Sequence, residues 1–503
     1  MSVAVRLPPE VREFLDLPGP QTLLVRGPPG SGKTTFGLAL LEAFKGDRVL
    51  LITSRVSEGE LVREFPWLGN GGRSIQIVDT SLQTETIREA AKMIERSREH
   101  LIGAESAEGR EATSFLWLPP PVQDAWSRLD PGRRALVVID SWDALIEQYL
   151  GSAANGHGSP DRAEIERLLL RRMAQSPAHV VFILEREEQT ALDYLVNGVL
   201  VARREMGEER LQRWLTISKL RGIRVENPIY PYTLEGGKFE SILPAKPYTL
   251  LRPGRPDPEP DTMPDHLWPG SGEFAASFGR LAFGRLTLLE MDESVSVEAG
   301  DLLTMPIAAF VLSKGGHVLV IPHASESPEE VRDRLVPIAP PELVRSGLRV
   351  MVGRALAAGA EGGPLRLHVD RLEFTATEDR PPEAPSIRFL RDGSSPTTPN
   401  LLVASAQGLE GMATTFGTPV NAENAVRLPG TILTALRGHA AHAVVVARRN
   451  SVFLAALRAS ASIRLDLGIR QGRLFLHGVS PWTPNFVLTE ARERGPYGLL
   501  RVV

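Results

Sequence analysis

The stretch Gly27-Pro28-Pro29-Gly30-Ser31-Gly32-Lys33-Thr34 constrains this chain more than any other. It fits G-x-x-x-x-G-K-[ST] and lies between an apolar run, Thr22–Arg26, and an amphipathic run, Thr34–Phe44. The spacing predicts a strand, a tight glycine-rich turn and a helix, in that order. Glycines let the backbone wrap so that successive N–H groups and the positive end of the helix face one anion. Lys33 then offers an ammonium to the β- and γ-phosphates of ATP, and the Thr34 hydroxyl is a ligand for Mg²⁺. The candidate nucleotide-binding residues are Gly27, Pro28, Pro29, Gly30, Ser31, Gly32, Lys33, Thr34 and Thr35. Lysine is scarce, seven residues against fifty Arg, so composition alone would place roughly 0.007 such motifs in the chain.

The remaining composition narrows the function classes. There is no Cys, which excludes a disulfide framework, thiolate metal sites and cysteine nucleophiles. A net charge of −4 argues against a dedicated nucleic-acid coat or a polybasic membrane anchor. Met1 to Pro20 has no apolar targeting core, and the longest uncharged apolar stretch, Leu302–Ser313, is too short to span a bilayer, so the expected location is cytoplasmic.

Along the first half, short apolar runs alternate with helical patterns: Thr22–Arg26, Thr34–Phe44, Val49–Thr53, Ser81–His100, Ala135–Asp140, Glu164–Gln175 and Val180–Leu184. That alternation predicts an α/β fold, a parallel sheet covered by helices on both faces. Ala135–Asp140 reads as a buried strand ending in the carboxylate that holds Mg²⁺ together with Thr34. Breaks fall at Gly103–Asp130 and Thr377–Asn400, and a Pro-rich linker is expected over 246–272 between domains at 1–245 and 273–503.

The second half repeats the first in outline. Thr22-Leu23-Leu24 returns as Thr287-Leu288-Leu289 at an offset of 265, and Val49–Ile52 as Val318–Ile321 at 269. Val138-Ile139 pairs with Val403-Ala404 at 265, and Ala178–Val181 with Ala441–Val444 at 263. The expectation is a tandem duplication in which the second copy has lost its nucleotide motifs. Glu290 to Ser294 would repel phosphate there, Ser405 stands where Asp140 maps, and His477–Pro481 replaces the last basic strand. His439 and His442 have metal-compatible spacing without a third ligand and are expected to be structural.

Ile217-Ser218-Lys219-Leu220-Arg221-Gly222 follows a strand-like run, and on a strand Lys219 and Arg221 would share one side. With the phosphate loop, Asp140 and Asp193–Val199, this segment resembles the KaiC-like branch of the RecA-type ATPases over about residues 1–245. The resemblance implies a homo-oligomer in which Lys219 and Arg221 reach the nucleotide of a neighbouring subunit. Within that branch Thr53–Ser57, Phe65–Trp67 and Ile139–Trp142 are similar to the archaeal gas vesicle protein D regulators. The branch carries paired catalytic glutamates after the second strand, but Arg55 and Val56 stand there, leaving Glu58 or Glu185 as replacement bases and implying slow hydrolysis.

The function expected from these features is an ATP-binding regulatory switch that oligomerises with nucleotide and engages a protein partner such as a transcriptional regulator. A DNA-acting ATPase of the RecA or RadA type ranks second, given the charge balance and the single Lys after position 250. An autokinase ranks last, because the second copy has no phosphate loop of its own.

Overall fold

In a computed structural model of the chain, the described residues are 6–46, 48–70, 75–80, 120–129, 133–153, 166, 178–207, 210–243, 253–261, 263–352, 368–370, 398–415, 430, 432–433, 436, 440–491 and 495–502. They divide into two compact units, Met1–Leu243 and Pro244–Arg501. Both are α/β, and the architecture is two tandem RecA-like domains.

The first unit is one sheet of β1 (Thr22–Arg26), β2 (Arg48–Thr53), β3 (Gln76–Asp79), β4 (Ala135–Asp140), β5 (Ala178–Leu184), β6 (Gly198–Gly207), β7 (Arg210–Leu220), β8 (Ile229–Thr233) and β9 (Glu240–Ser241). Their order is β3-β2-β4-β5-β1-β6-β7-β8-β9, with β1 to β6 parallel and the last three strands returning antiparallel. Every residue of β1 and β5 is buried, as a central parallel strand covered on both faces must be. Leu23 and Val25 face a core filled from α1 (Pro9–Asp16) and α2 (Lys33–Ala43), while Leu24 faces the opposite core beneath α4 (Trp142–Ala153). The short α3 (Glu58–Glu64) starts on a capping box in which the Ser57 hydroxyl accepts from the Glu60 amide and the Glu60 carboxylate accepts from the Ser57 amide.

Two expectations change here. The helix after the phosphate loop is not amphipathic: Phe36 to Leu41 are all buried, because α2 lies between the sheet and the β8–β9 region. Each large apolar side chain buried there contributes about 1.5–3 kcal/mol relative to exposure. Within the Gly103–Asp130 break, Pro120–Ser127 is a helix whose two prolines stand at its start, where a missing N–H costs nothing. The helical patterns at Ser81–His100 and, apart from Glu166, Glu164–Gln175 lie outside the described residues.

The second unit pairs β10 (His266–Leu267) with β11 (Leu281–Ala282). Its main sheet contains β12 (Leu286–Met291), β13 (Val318–Ile321), β14 (Leu348–Met351), β15 (His368–Asp370), β16 (Asn400–Ser405), β17 (Ala441–Arg448), β18 (Ile463–Arg470), β19 (Arg473–Ser480), β20 (Asn485–Thr489) and β21 (Gly498–Val502). The order is β15-β14-β13-β16-β17-β12-β18-β19-β20-β21. Matched outward from β1 and β12, the two sheets follow the same path. Part of the Pro-rich stretch is bonded within this unit: the Asp257 amide donates to the Gly270 carbonyl and the Asp257 carboxylate accepts from the Gly272 amide.

The register corrects one detail of the repeat. Leu24 faces the core containing Ile139 and Phe182, and Leu288 faces the matching core with Ala404 and Val445. Leu289 faces the other side, with Val403 and Val444. The offset between β1 and β12 is therefore 264 instead of 265, since a one-residue slip would turn every side chain to the wrong face. The other three offsets agree with the faces that their residues occupy.

Candidate nucleotide site

The phosphate loop leaves the carboxyl end of β1 and enters α2, the edge at which open α/β sheets bind ligands. Gly30 and Gly32 have φ of +73° and +83°, left-handed values open to glycine at little cost. A Cβ on Gly32 would also strike the Leu234 side chain at 2.6 Å, and one on Gly27 would overlap the Ala202 carbonyl. Behind the loop the Tyr232 hydroxyl donates to the Ser31 carbonyl, and burial raises its pKa.

Lys33 is buried, and its Nζ donates to the Pro28 carbonyl at 2.8 Å and the Ser31 hydroxyl at 3.4 Å. Burial lowers its pKa, while Glu185 and then Asp140 act to raise it. Thr34 Oγ1 donates to Asp140 Oδ2 at 2.6 Å, bringing together from 106 residues apart the hydroxyl and carboxylate expected to hold Mg²⁺. Burial raises the Asp140 carboxyl above its usual range, and the Thr34 bond opposes that shift. Two hard oxygen donors side by side at a glycine cradle fit a Mg²⁺-nucleotide. Ser54 clips the neighbouring strand ends together, its amide donating to the Asp140 carbonyl at 2.9 Å and its hydroxyl to the Ser141 carbonyl at 2.8 Å.

The two candidate bases part company. Glu185 stands at the tip of β5, ion-paired with Arg55, and its amide donates to Asp143 Oδ2 at 3.1 Å. It is the carboxylate acting most strongly on Lys33. Glu58 is exposed in the first turn of α3, where its amide donates to Asp79. Arg55, met in the sequence only as a missing glutamate, thus holds the better candidate in place.

Lys219 and Arg221 sit at the other edge of the sheet. Lys219 pairs with Val199, which neighbours Leu24, and the Arg221 amide donates to the Asn197 carbonyl, level with the start of β1. Four residues of strand, about 13 Å, separate that level from the end of β1. An irregularity in the β6–β7 register at Val199/Leu200 precedes Lys219. Its Nζ donates to the carbonyls of Asp193 at 2.9 Å and Val196 at 2.6 Å, at the end of α5 (Ala191–Leu195). Burial, then Arg221, lowers its pKa. The two cations therefore do not form an equivalent pair: Lys219 is engaged by α5, and Arg221 is exposed.

Two arginines beside the loop were not singled out in the sequence. Arg204 and Arg213 face each other across β6 and β7, and Arg204 Nη1 lies 3.1 Å from where a Cβ on Gly30 would stand. Arg213 Nε and Nη1 are buried without a hydrogen-bond partner, and burial lowers its pKa. Like charges facing each other on a strand pair favour an anion between them. Among fifty arginines, nothing in the sequence distinguishes these two.

At the matching edge of the second unit, Asp292 to Ser296 joins β12 to α6 (Val297–Ser313) without a glycine. Glu290 does not repel phosphate there, contrary to expectation, because it remains in β12, buried and bonded to Arg458 and Arg464. Those bonds hold its pKa below the usual range against the opposing effect of burial. His442 is buried between the Thr287 hydroxyl at 2.9 Å and the Ala282 carbonyl at 2.7 Å, a structural role, and His439 lies outside the described residues. Among the described residues no group of His, Asp and Glu is arranged to hold a metal ion, and no helix is long and apolar enough to cross a membrane.

The family model described as "ATPase: KaiC" matches residues 16–246. The first unit is thus a KaiC-like P-loop ATPase domain of the RecA superfamily, a nucleotide-binding class. Protein GvpD2 of Halobacterium salinarum is 28% identical over 342 residues, and protein GvpD1 of the same organism is 26% identical over 334. Each match covers 64% of this chain, more than the first unit alone, and 62% and 58% of the respective relative. The chain is related to gas vesicle protein D, and the matches span about three fifths of those relatives.

Proposed function

We propose that the chain is an ATP-dependent regulatory switch of the cytoplasm, in which nucleotide at the first unit organises a homo-oligomer that engages a protein partner, a transcriptional regulator. The loop from Gly27 to Thr35 holds the phosphates of ATP, with Lys33 exchanging its bond to the Pro28 carbonyl for phosphate oxygens. Thr34 and Asp140 would hold Mg²⁺, which when bound neutralises phosphate charge. Arg204 and Arg213 supply further positive charge beside Gly30. Glu185 orients the attacking water and takes up its proton at the carboxylate, in preference to Glu58, which is exposed in the first turn of α3. Turnover is slow because the usual glutamate pair after the second strand is replaced by Arg55 and Val56, and a switch needs only differential binding between assembly states.

The observation that carries this reading is the placement of Arg221 at the edge of the sheet opposite its own phosphate loop. A finger so placed serves the nucleotide of another subunit. The test mixes two variants: Lys33→Ala, with a finger and no pocket, and Arg221→Ala, with a pocket and no finger. Neither should hydrolyse ATP alone, and the mixture should recover activity; a mixture that stays inactive beside an active wild type contradicts the trans contact.

A further inference from the structure

α5 connects the phosphate loop to the basic finger through three contacts in series. Arg26 is the last residue of β1 and the direct neighbour of Gly27. Its Nε lies 2.9 Å from Asp193 Oδ1, and its guanidinium also donates to the Glu187 carbonyl. Both side chains of this ion pair are about nine-tenths buried, so water competes little for either charge. The other Asp193 oxygen accepts from the amide and hydroxyl of Thr190, fixing the start of α5. The end of α5 is held by the Lys219 ammonium on the carbonyls of Asp193 and Val196. Tyr194 and Leu195, on the same turn, are exposed apolar side chains.

We propose that Asp193 is a positioning residue: it ties α5 to the strand that feeds the phosphate loop, so that nucleotide in a subunit's own pocket sets the position of the finger it offers a neighbour. Phosphate drawn into the loop shifts Gly27 and with it Arg26. The ion pair carries the shift to α5, and Lys219 moves with the carbonyls that it caps, as do Tyr194 and Leu195. The pocket and the finger thereby respond together, although they stand at opposite edges of one sheet. The proposal rests on the reading that the loop binds nucleotide and that Lys219 belongs to the finger.

The test is amide hydrogen exchange of the full chain with and without saturating ADP and Mg²⁺, followed at the loop, residues 27–36, and at α5, residues 191–197. Wild type and Arg26→Gln/Asp193→Asn are compared; the double variant removes the ion pair without leaving a buried charge unpaired, and Asn keeps an acceptor for Thr190. Arg26→Lys with native Asp193 is the conservative control. In wild type, ADP should slow exchange about tenfold in both segments, and in the double variant the loop should keep its protection while α5 keeps less than about twofold. Arg26→Lys should restore part of the α5 response. Undiminished α5 protection in the double variant, or a protected loop without a protected α5 in wild type, overturns the link. Absence of loop protection in wild type overturns the nucleotide site itself, and the link with it.

Discussion

Glu185 and Arg55 meet beside a phosphate loop whose familiar glutamate pair is missing. The position expected to carry a catalytic glutamate carries an arginine, and that arginine holds a glutamate from the tip of another strand, 130 residues away in the chain. Replacing Glu185 by Gln should lower the rate of ATP hydrolysis by about 10²–10⁴-fold with nucleotide affinity nearly unchanged. Glu58→Gln should leave the rate within about twofold, and single-turnover hydrolysis of the two variants distinguishes the roles. A rate in Glu185→Gln within about twofold of wild type would remove Glu185 from the chemistry. The phosphate loop was legible in the sequence because its chemistry is local, eight consecutive residues with one backbone requirement. The choice between Glu58 and Glu185, and the presence of Arg204 and Arg213, were not, because each depends on segments distant in sequence that meet only in the fold.

At the scale of elements, the two units keep the same devices with altered chemistry. His179 is the second residue of β5 and His442 the second of β17; each is buried, and burial lowers each ring to a pKa of about 4. The His179 Nδ1 accepts from the Gln21 amide, just as His442 is fixed by bonds next to β12. Between 6.5 and 4 the unfolded chain binds more protons than the folded one, so stability falls as pH drops through that window, by up to about 3 kcal/mol per ring. Denaturant unfolding at pH 7 and pH 5 should show about 2 kcal/mol of that loss per ring in wild type and a smaller total loss in His442→Gln; parallel profiles would contradict the assignment. The ion pair from the first inner strand to the helix before the next also recurs, with its charges exchanged. Arg26–Asp193 in the first unit matches Glu290–Arg458 in the second, and the register offset of 264 places Arg26 at Glu290. The second unit has no lysine in β19, so its pair braces the sheet without leading to a finger. Apolar runs fixed the strands correctly from sequence, since period and length suffice for buried parallel strands. The true offset at β12 was not legible, because it depends on which face each side chain occupies.

At the scale of the whole molecule, two sheets with one strand order have divided the work. The first presents a glycine loop, Lys33, Thr34 and Asp140 at one edge and Arg221 at the other. The second presents at the matching edge a glycine-free turn, Ser405 in place of the metal carboxylate, and a cavity of about 40 Å³ into which Asp301 and Arg334 are drawn as an ion pair. The α/β class and the duplication were readable from alternation and repeats, whereas the opposition of loop and finger needed the register of β1, β6 and β7. Nucleotide binding is proposed for the first unit, which among the described residues alone carries a glycine loop with its lysine. Calorimetric titration with a non-hydrolysable ATP analogue and Mg²⁺ tests it most directly. The expected result is a single site per chain, weakened by about a hundredfold or more in Lys33→Ala. Two sites per chain, or undiminished binding in Lys33→Ala, would contradict it.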